Sequence, residues 1–141
     1  MLKSDLLHPE ILSTLGASGH GSRVVIADGN YPYVTQSNKE ARVVYLNLAP
    51  GIVKAPRVLS VINQSIVIES AKLMGPEDRH EPRIFQEFKE ILEDTEPDEV
   101  GRFEFYEAAR DDQVSLVIAT GEERTFGNVI LTLGVRRGGE S

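Results

Sequence analysis

Apolar positions along the chain alternate between helical spacing and short unbroken runs. Leu7, Ile11, Leu12 and Leu15 fall on one helical face, with Pro9 in the first turn and Gly16 available to end it, which predicts a helix over residues 8–15. Arg23-Val-Val-Ile-Ala27 and Val43-Val-Tyr-Leu-Asn-Leu48 are β-branched and apolar, the pattern of strands buried on both faces. Pro56 opens a second helical stretch carrying Val58, Leu59 and Ile62, and Ile66-Val-Ile68 follows as a strand. The clearest helix runs from Glu81 to Leu92, where Ile84, Phe85, Phe88, Ile91 and Leu92 form one core-facing stripe. Beyond the polar break Glu93 to Asp98, a short extended piece precedes a helix from Phe103 to Arg110. Leu116–Ala119 and Val129–Leu133 are then two strands around the polar loop Thr120 to Asn128.

Strands alternating with helices predict a single-domain α/β layered fold, a mostly parallel sheet flanked by helices, with one antiparallel pair near the C terminus. The domain is expected over residues 1–135, and Arg136 to Ser141 reads as a loose tail. A chain of 141 residues can bury roughly 70% of the surface it would expose unfolded, so one core suffices. In such sheets ligands gather at the carboxyl ends of strands, where Asp28 and the Thr120 to Asn128 loop lie.

Composition narrows the chemistry. Cysteine is absent, which removes disulfides, thiolate metal sites and a Cys nucleophile and fits a reducing compartment. A formal net charge of −7 works against the phosphate contacts on which nucleic-acid affinity rests. The acidic excess between Glu77 and Asp112 reads as a solvated face and flanking loops. No segment approaches the ~20 apolar residues that span a bilayer, and Met1 to Leu15 reads as a helix of the mature fold, not a signal peptide. The expectation is a cytoplasmic protein with a small or neutral ligand and no nucleic-acid or membrane partner.

Few residues stand out one at a time. Gly16-Ala-Ser-Gly-His-Gly-Ser22 has the glycines of a phosphate loop but leads from a helix into a strand, the reverse of a phosphate cradle. His20 in that loop could carry a proton near neutrality, or simply be solvated. Asp28-Gly29-Asn30 is by itself a common turn. Asp78, His80 and Glu81 lie in a charged run with no second cluster at metal-ligand spacing, and His8 before Pro9 reads as structural. No Gly-x-Ser-x-Gly occurs to make a serine nucleophile. Arg102 alone would be read as a surface partner of Glu99 or Glu104, and Asn128 as a turn residue.

Taken in order, four segments resemble one family nearly end to end. They are Gly19-His20-Gly21, Ile26-Ala-Asp28-Gly-Asn-Tyr-Pro32, Arg102-Phe-Glu-Phe-Tyr-Glu107, and Thr120-Gly-Glu-Glu-Arg-Thr-Phe-Gly-Asn128 leading into Val129-Ile-Leu131 and Gly134-Val135. The family is the L-fucose mutarotases and D-ribose pyranases, RbsD/FucU. The resemblance implies a compact α/β subunit in a ring-like homo-oligomer, such as a decameric ring. It also implies a neutral monosaccharide bound near subunit contacts, with no metal or organic cofactor. By the same resemblance His20 is the catalytic residue, and Asp28, Arg102, Phe126, Gly127 and Asn128 bind substrate. Arg102 matches the fucose mutarotases, whereas ribose pyranases typically carry His there.

Two positions depart from the pattern. Phe126 replaces the motif's tyrosine and so lacks a phenolic hydroxyl, for which Tyr31, Tyr33 or Tyr106 are the possible substitutes. Asn30 stands where fucose mutarotases often have His. The expected activity is ring opening and reclosure of a monosaccharide by general acid and base, with L-fucose as the leading substrate. The alternatives are a D-ribose pyranase, a non-catalytic sugar-binding or transport-associated protein, and a purely structural ring-former.

Overall fold

The computed structural model describes residues 1–139. In chain order it contains α1 (Pro9–Ala17), β1 (Arg23–Ala27), β2 (Arg42–Tyr45), α2 (Ala55–Asn63), β3 (Ile68–Met74), α3 (Ile84–Ile91), β4 (Asp98–Val100), α4 (Arg102–Ala109), β5 (Val114–Ala119) and β6 (Val129–Leu133). The six strands form one sheet in the order β2-β5-β1-β6-β3-β4. It is a single-domain, layered α/β fold. Of the tail expected from Arg136, residues 140 and 141 lie outside the described residues.

Alternation along β1 sorts the two sides of the sheet. Val24 and Ile26 pack with α1, α2 and α3 through Ile11, Leu59, Ile62, Phe85 and Phe88. Val25 and Ala27 face the other way, onto Phe105 and Ala109 of α4 and onto Tyr31. These four residues are 0% exposed, so the central strand is apolar and buried on both faces from Val24 to Ala27, as its sequence implied. α1 starts where Pro9 fits its first turn, and His8 caps it by accepting the Ile11 N–H at Nδ1, 3.4 Å away.

The sheet departs from expectation in three ways. β5 and β6, consecutive in sequence, are not neighbours: β1 lies between them, parallel to β5 and antiparallel to β6. β6 is antiparallel to β3 as well, giving two antiparallel pairs where one was expected. The third strand runs over Ile68–Met74, well past the expected Ile66–Ile68. Its Glu, Ala, Lys, Leu and Met residues are good helix formers, but pairing on both sides, to β4 and β6, outweighs that local preference.

Candidate active site

The interposed β1 explains how the site is built. To pass from β5 to β6, the segment Thr120–Asn128 must cross the carboxyl end of β1, where Asp28 emerges. Asp28 is 3% exposed, and both carboxylate oxygens accept backbone N–H groups, Oδ1 from Asn30 at 2.9 Å and Oδ2 from Gly127 at 3.2 Å. Its own N–H donates to Asn128 Oδ1 at 2.8 Å, and the Gly29 N–H to the Glu122 carbonyl at 2.9 Å. Burial pushes the Asp28 carboxyl above its ordinary range, against the N–H bonds from Asn30 and Gly127 that lower it, and nearby Glu122 adds to the rise.

With Oδ1 committed, Asn128 keeps its amide Nδ2 as the free end, 3.8 Å from Met74 Sδ, a weak acceptor. Gly127 is required by space. A Cβ there would lie 3.0 Å from Glu122 Cγ and 3.2 Å from Ile84 Cδ1. Phe126 has φ 64°, in the left-handed region that favours glycine, and its half-buried ring touches the cores on both sides of the sheet. Of the alternative hydroxyls, only Tyr33 reaches Asp28, and it donates to the main-chain carbonyls of Ala27 and Asp28. Tyr31 donates instead to the Gln36 carbonyl at 2.7 Å.

A buried ionic hub holds the crossing loop. Glu122 is 2% exposed and accepts Nε and Nη2 of Arg124, each at 3.0 Å, and the Ala55 N–H at 3.3 Å at the start of α2. Arg124 also bonds Glu87 of α3. Burial alone would raise the Glu122 carboxyl, but the Arg124 guanidinium and N–H outweigh it and hold it below the ordinary range. Sequence reasoning missed this hub, because Glu122, Glu123 and Arg124 look the same as a solvated charge run until the loop is seen to fold across β1. A cavity of about 480 Å³ opens beside the turn, lined by Gly29, Asn30, Asn47, Thr120, Gly121 and Glu123 among others.

The remaining two residues are elsewhere. Arg102 begins α4 at the same end of the sheet, but three strand positions from β1, about 14 Å across. It is exposed, with its guanidinium stacked over the Phe103 ring at 4.6 Å in place of the ion pair read from sequence. His20 lies at the opposite end of β1, separated from Asp28 by a strand about 17 Å long. Its imidazole is 60% exposed, bonds Glu69 Oε1 at 3.0 Å through Nε2, and lines a separate cavity of about 620 Å³. Asp78 and His80 pair with each other at the surface, and no cluster of three or more metal-ligating side chains exists among the described residues. Among the described residues no helix is long and apolar enough to cross a membrane.

Comparison with known proteins places this geometry. The chain is 34% identical to the fucose mutarotase of Danio rerio over 143 residues, covering 92% of this chain and 90% of that protein. It is 28% identical to the D-ribose pyranase of Clostridium perfringens over 135 residues, covering 96% and 98%. Among solved structures, the fucose mutarotase of Streptococcus pneumoniae in complex with L-fucose superposes with a TM-score of 0.82 at 26% identity, over 96% of this chain and 100% of that one. Bacillus subtilis RbsD complexed with D-ribose has the same fold, with a TM-score of 0.85 at 23% identity, covering 97% and 100%. A family model described as the RbsD / FucU transport protein family matches residues 1–136. The chain thus belongs to the RbsD/FucU family and is an isomerase-type enzyme of the sugar pyranase and mutarotase kind.

Proposed function

We propose that this protein interconverts the anomers of a neutral monosaccharide, L-fucose or a related sugar, by opening and reclosing the ring in a cytoplasmic setting. The observation that carries the reading is the carboxylate of Asp28, fixed by two N–H groups beside an Asn128 amide that the Asp28 N–H orients. In the reaction His20 takes the proton of the anomeric hydroxyl, and the carbon to ring-oxygen bond breaks with its electron pair passing to the ring oxygen. The His20 imidazolium passes that same proton to the ring oxygen, the exposed aldehyde rotates, and the reverse steps close its other face. Asp28 and Asn128 grip hydroxyls, Phe126 packs on the sugar's apolar side, and Arg102 donates forked hydrogen bonds.

His20 and Asp28 occupy opposite ends of β1, so they can meet one sugar only if two copies of the chain share a pocket. We therefore assign His20 from one subunit and Asp28, Gly127 and Asn128 from its neighbour, in a ring-like homo-oligomer such as a decamer. Conversion of D-ribose between six- and five-membered rings is the second reading, supported by resemblance to ribose pyranases as well as fucose mutarotases.

Exchange NMR of anomeric protons, with L-fucose and D-ribose in parallel and catalytic protein, tests both readings. Faster exchange for one sugar, lost in His20→Ala with an unchanged oligomer, is the expected result. Binding of sugar without faster exchange would show a sugar-binding protein, with Phe126 marking the lost activity.

A further inference from the structure

Gly127 supplies one of the two N–H groups on the Asp28 carboxylate, yet it lies in a loop and follows Phe126, whose φ of 64° is in the left-handed region. A non-glycine residue keeps that conformation only where its surroundings hold it firmly. On one side the Asn128 side chain accepts the Asp28 N–H at 2.8 Å. On the other the support is the Glu122 side chain, whose Cγ lies 3.0 Å from where a Cβ of residue 127 would stand, so Gly127 rests directly on it. We propose that Arg124, anchored to α3 through Glu87, is a positioning residue for the sugar site: it clamps the Glu122 side chain beneath Gly127, and so keeps the Gly127 N–H on Asp28 and the Asn128 amide beside it. This rests on the reading of Asp28 and Asn128 as sugar-gripping groups given above.

All three guanidinium nitrogens are committed. Nε and Nη2 make a two-pronged fork on the Glu122 carboxylate, 3.0 Å to each oxygen, and Nη1 reaches Glu87. The Arg124 N–H adds a bond to Glu122 Oε2 at 3.2 Å, and Oε1 also accepts the Ala55 N–H of α2. A fork fixes the plane of the carboxylate, which a flexible ammonium would leave free to turn. Because these bonds all go to protein carboxylates, Arg124 acts on the sugar only through the loop. The Glu122 carbonyl accepts the Gly29 N–H at 2.9 Å, so the clamped residue also sets the turn that follows Asp28.

Arg124 also neutralises a carboxylate that is 2% exposed, and removing it costs stability whatever happens at Asp28. Stability and positioning separate in the kinetics. A less stable protein holds fewer active molecules, which lowers kcat and leaves KM alone. A displaced Gly127 and Asn128 instead loosen the grip on the sugar, which raises KM.

The amide proton of Gly127, bonded to a carboxylate, should move with pH as Asp28 titrates, and ¹H–¹⁵N NMR of the full-length protein reads that movement without any sugar. In Arg124→Gln the pH-dependent movement should fall to less than about half of the wild-type value. In the exchange assay the same variant should raise KM about five- to tenfold with kcat within about twofold, the size of one weakened hydrogen bond. Glu87→Gln keeps the fork and loses only the anchor, and should show the same changes at smaller size. Arg124→Lys, which keeps the charge without the fork, should fall between wild type and Arg124→Gln. An unchanged Gly127 titration in a folded Arg124→Gln overturns the proposal, as does a loss confined to kcat. If Arg124→Gln does not fold, Arg124→Lys and Glu87→Gln are read by the same criteria. Wild type that speeds no sugar's exchange sinks the mutarotase reading instead, and the Gly127 titration still scores the assignment of Arg124.

Discussion

Two buried carboxylates that meet where the loop crosses β1, Asp28 at the strand's end and Glu122 within the loop, show how local surroundings set the cost of a charge. Glu122 is held below the ordinary carboxylate range, so its contribution to stability is present above that range and is lost as pH falls through its lowered value. Asp28 is raised, so its contribution is full below the ordinary range and declines as pH rises through its raised value. Glu122→Gln should therefore cost about 2 kcal/mol at neutral pH, discounted for the half-open Arg124, and flatten the acid limb of the stability curve. Asp28→Asn should remove the opposite slope, which begins at the ordinary carboxylate range and ends at the raised Asp28 value, while abolishing anomer exchange. Denaturant unfolding across pH reads both. At Gly127, Ala would press on Glu122 and Ile84, and a loss of about 1–3 kcal/mol is expected by the same measurement. Phe126→Tyr keeps the half-buried ring and restores the hydroxyl of the family motif. Melting within a few degrees of wild type and a raised exchange rate are expected.

The element that matters most is the loop from Thr120 to Asn128. It was legible as a polar segment between strands, and its place at carboxyl ends followed from the α/β pattern. That it clamps Asp28 follows only from the insertion of β1 between β5 and β6. Gly121 shows how closely it is seated: a Cβ there would lie 2.3 Å from the Ile52 carbonyl oxygen and 2.6 Å from that of Ala49. Both contacts are to backbone, which cannot swing aside. Gly121→Ala should destabilise the fold by more than about 3 kcal/mol, seen as a large drop in melting temperature or loss of soluble protein. The helices were read well where an amphipathic stripe marks them, as in α3, whose Ile84, Phe85 and Phe88 are all at most 1% exposed. β3 was read short because its residues favour helix and only its neighbours make it a strand.

For the molecule as a whole, the separation of His20 from Asp28 makes the proposed activity a property of an assembly. Mixing His20→Ala with Asp28→Asn, each inactive alone, and allowing subunits to exchange should restore activity in about one quarter of pockets, those receiving both intact residues. No recovery in a confirmed mixed oligomer would mean that one chain supplies the whole pocket. The sequence by itself determined the α/β class, the apolar central strand, the amphipathic helices and the family, because periodicity and short motifs are local properties of the chain. Tertiary structure alone decided the strand order, the two antiparallel pairs, the Glu122 to Arg124 hub, the contact of His20 with Glu69 and the distance between His20 and Asp28. Each of those joins residues far apart in the chain, and the free energy that selects one pairing over another comes from burial and hydrogen bonding across the sheet, which no local window contains.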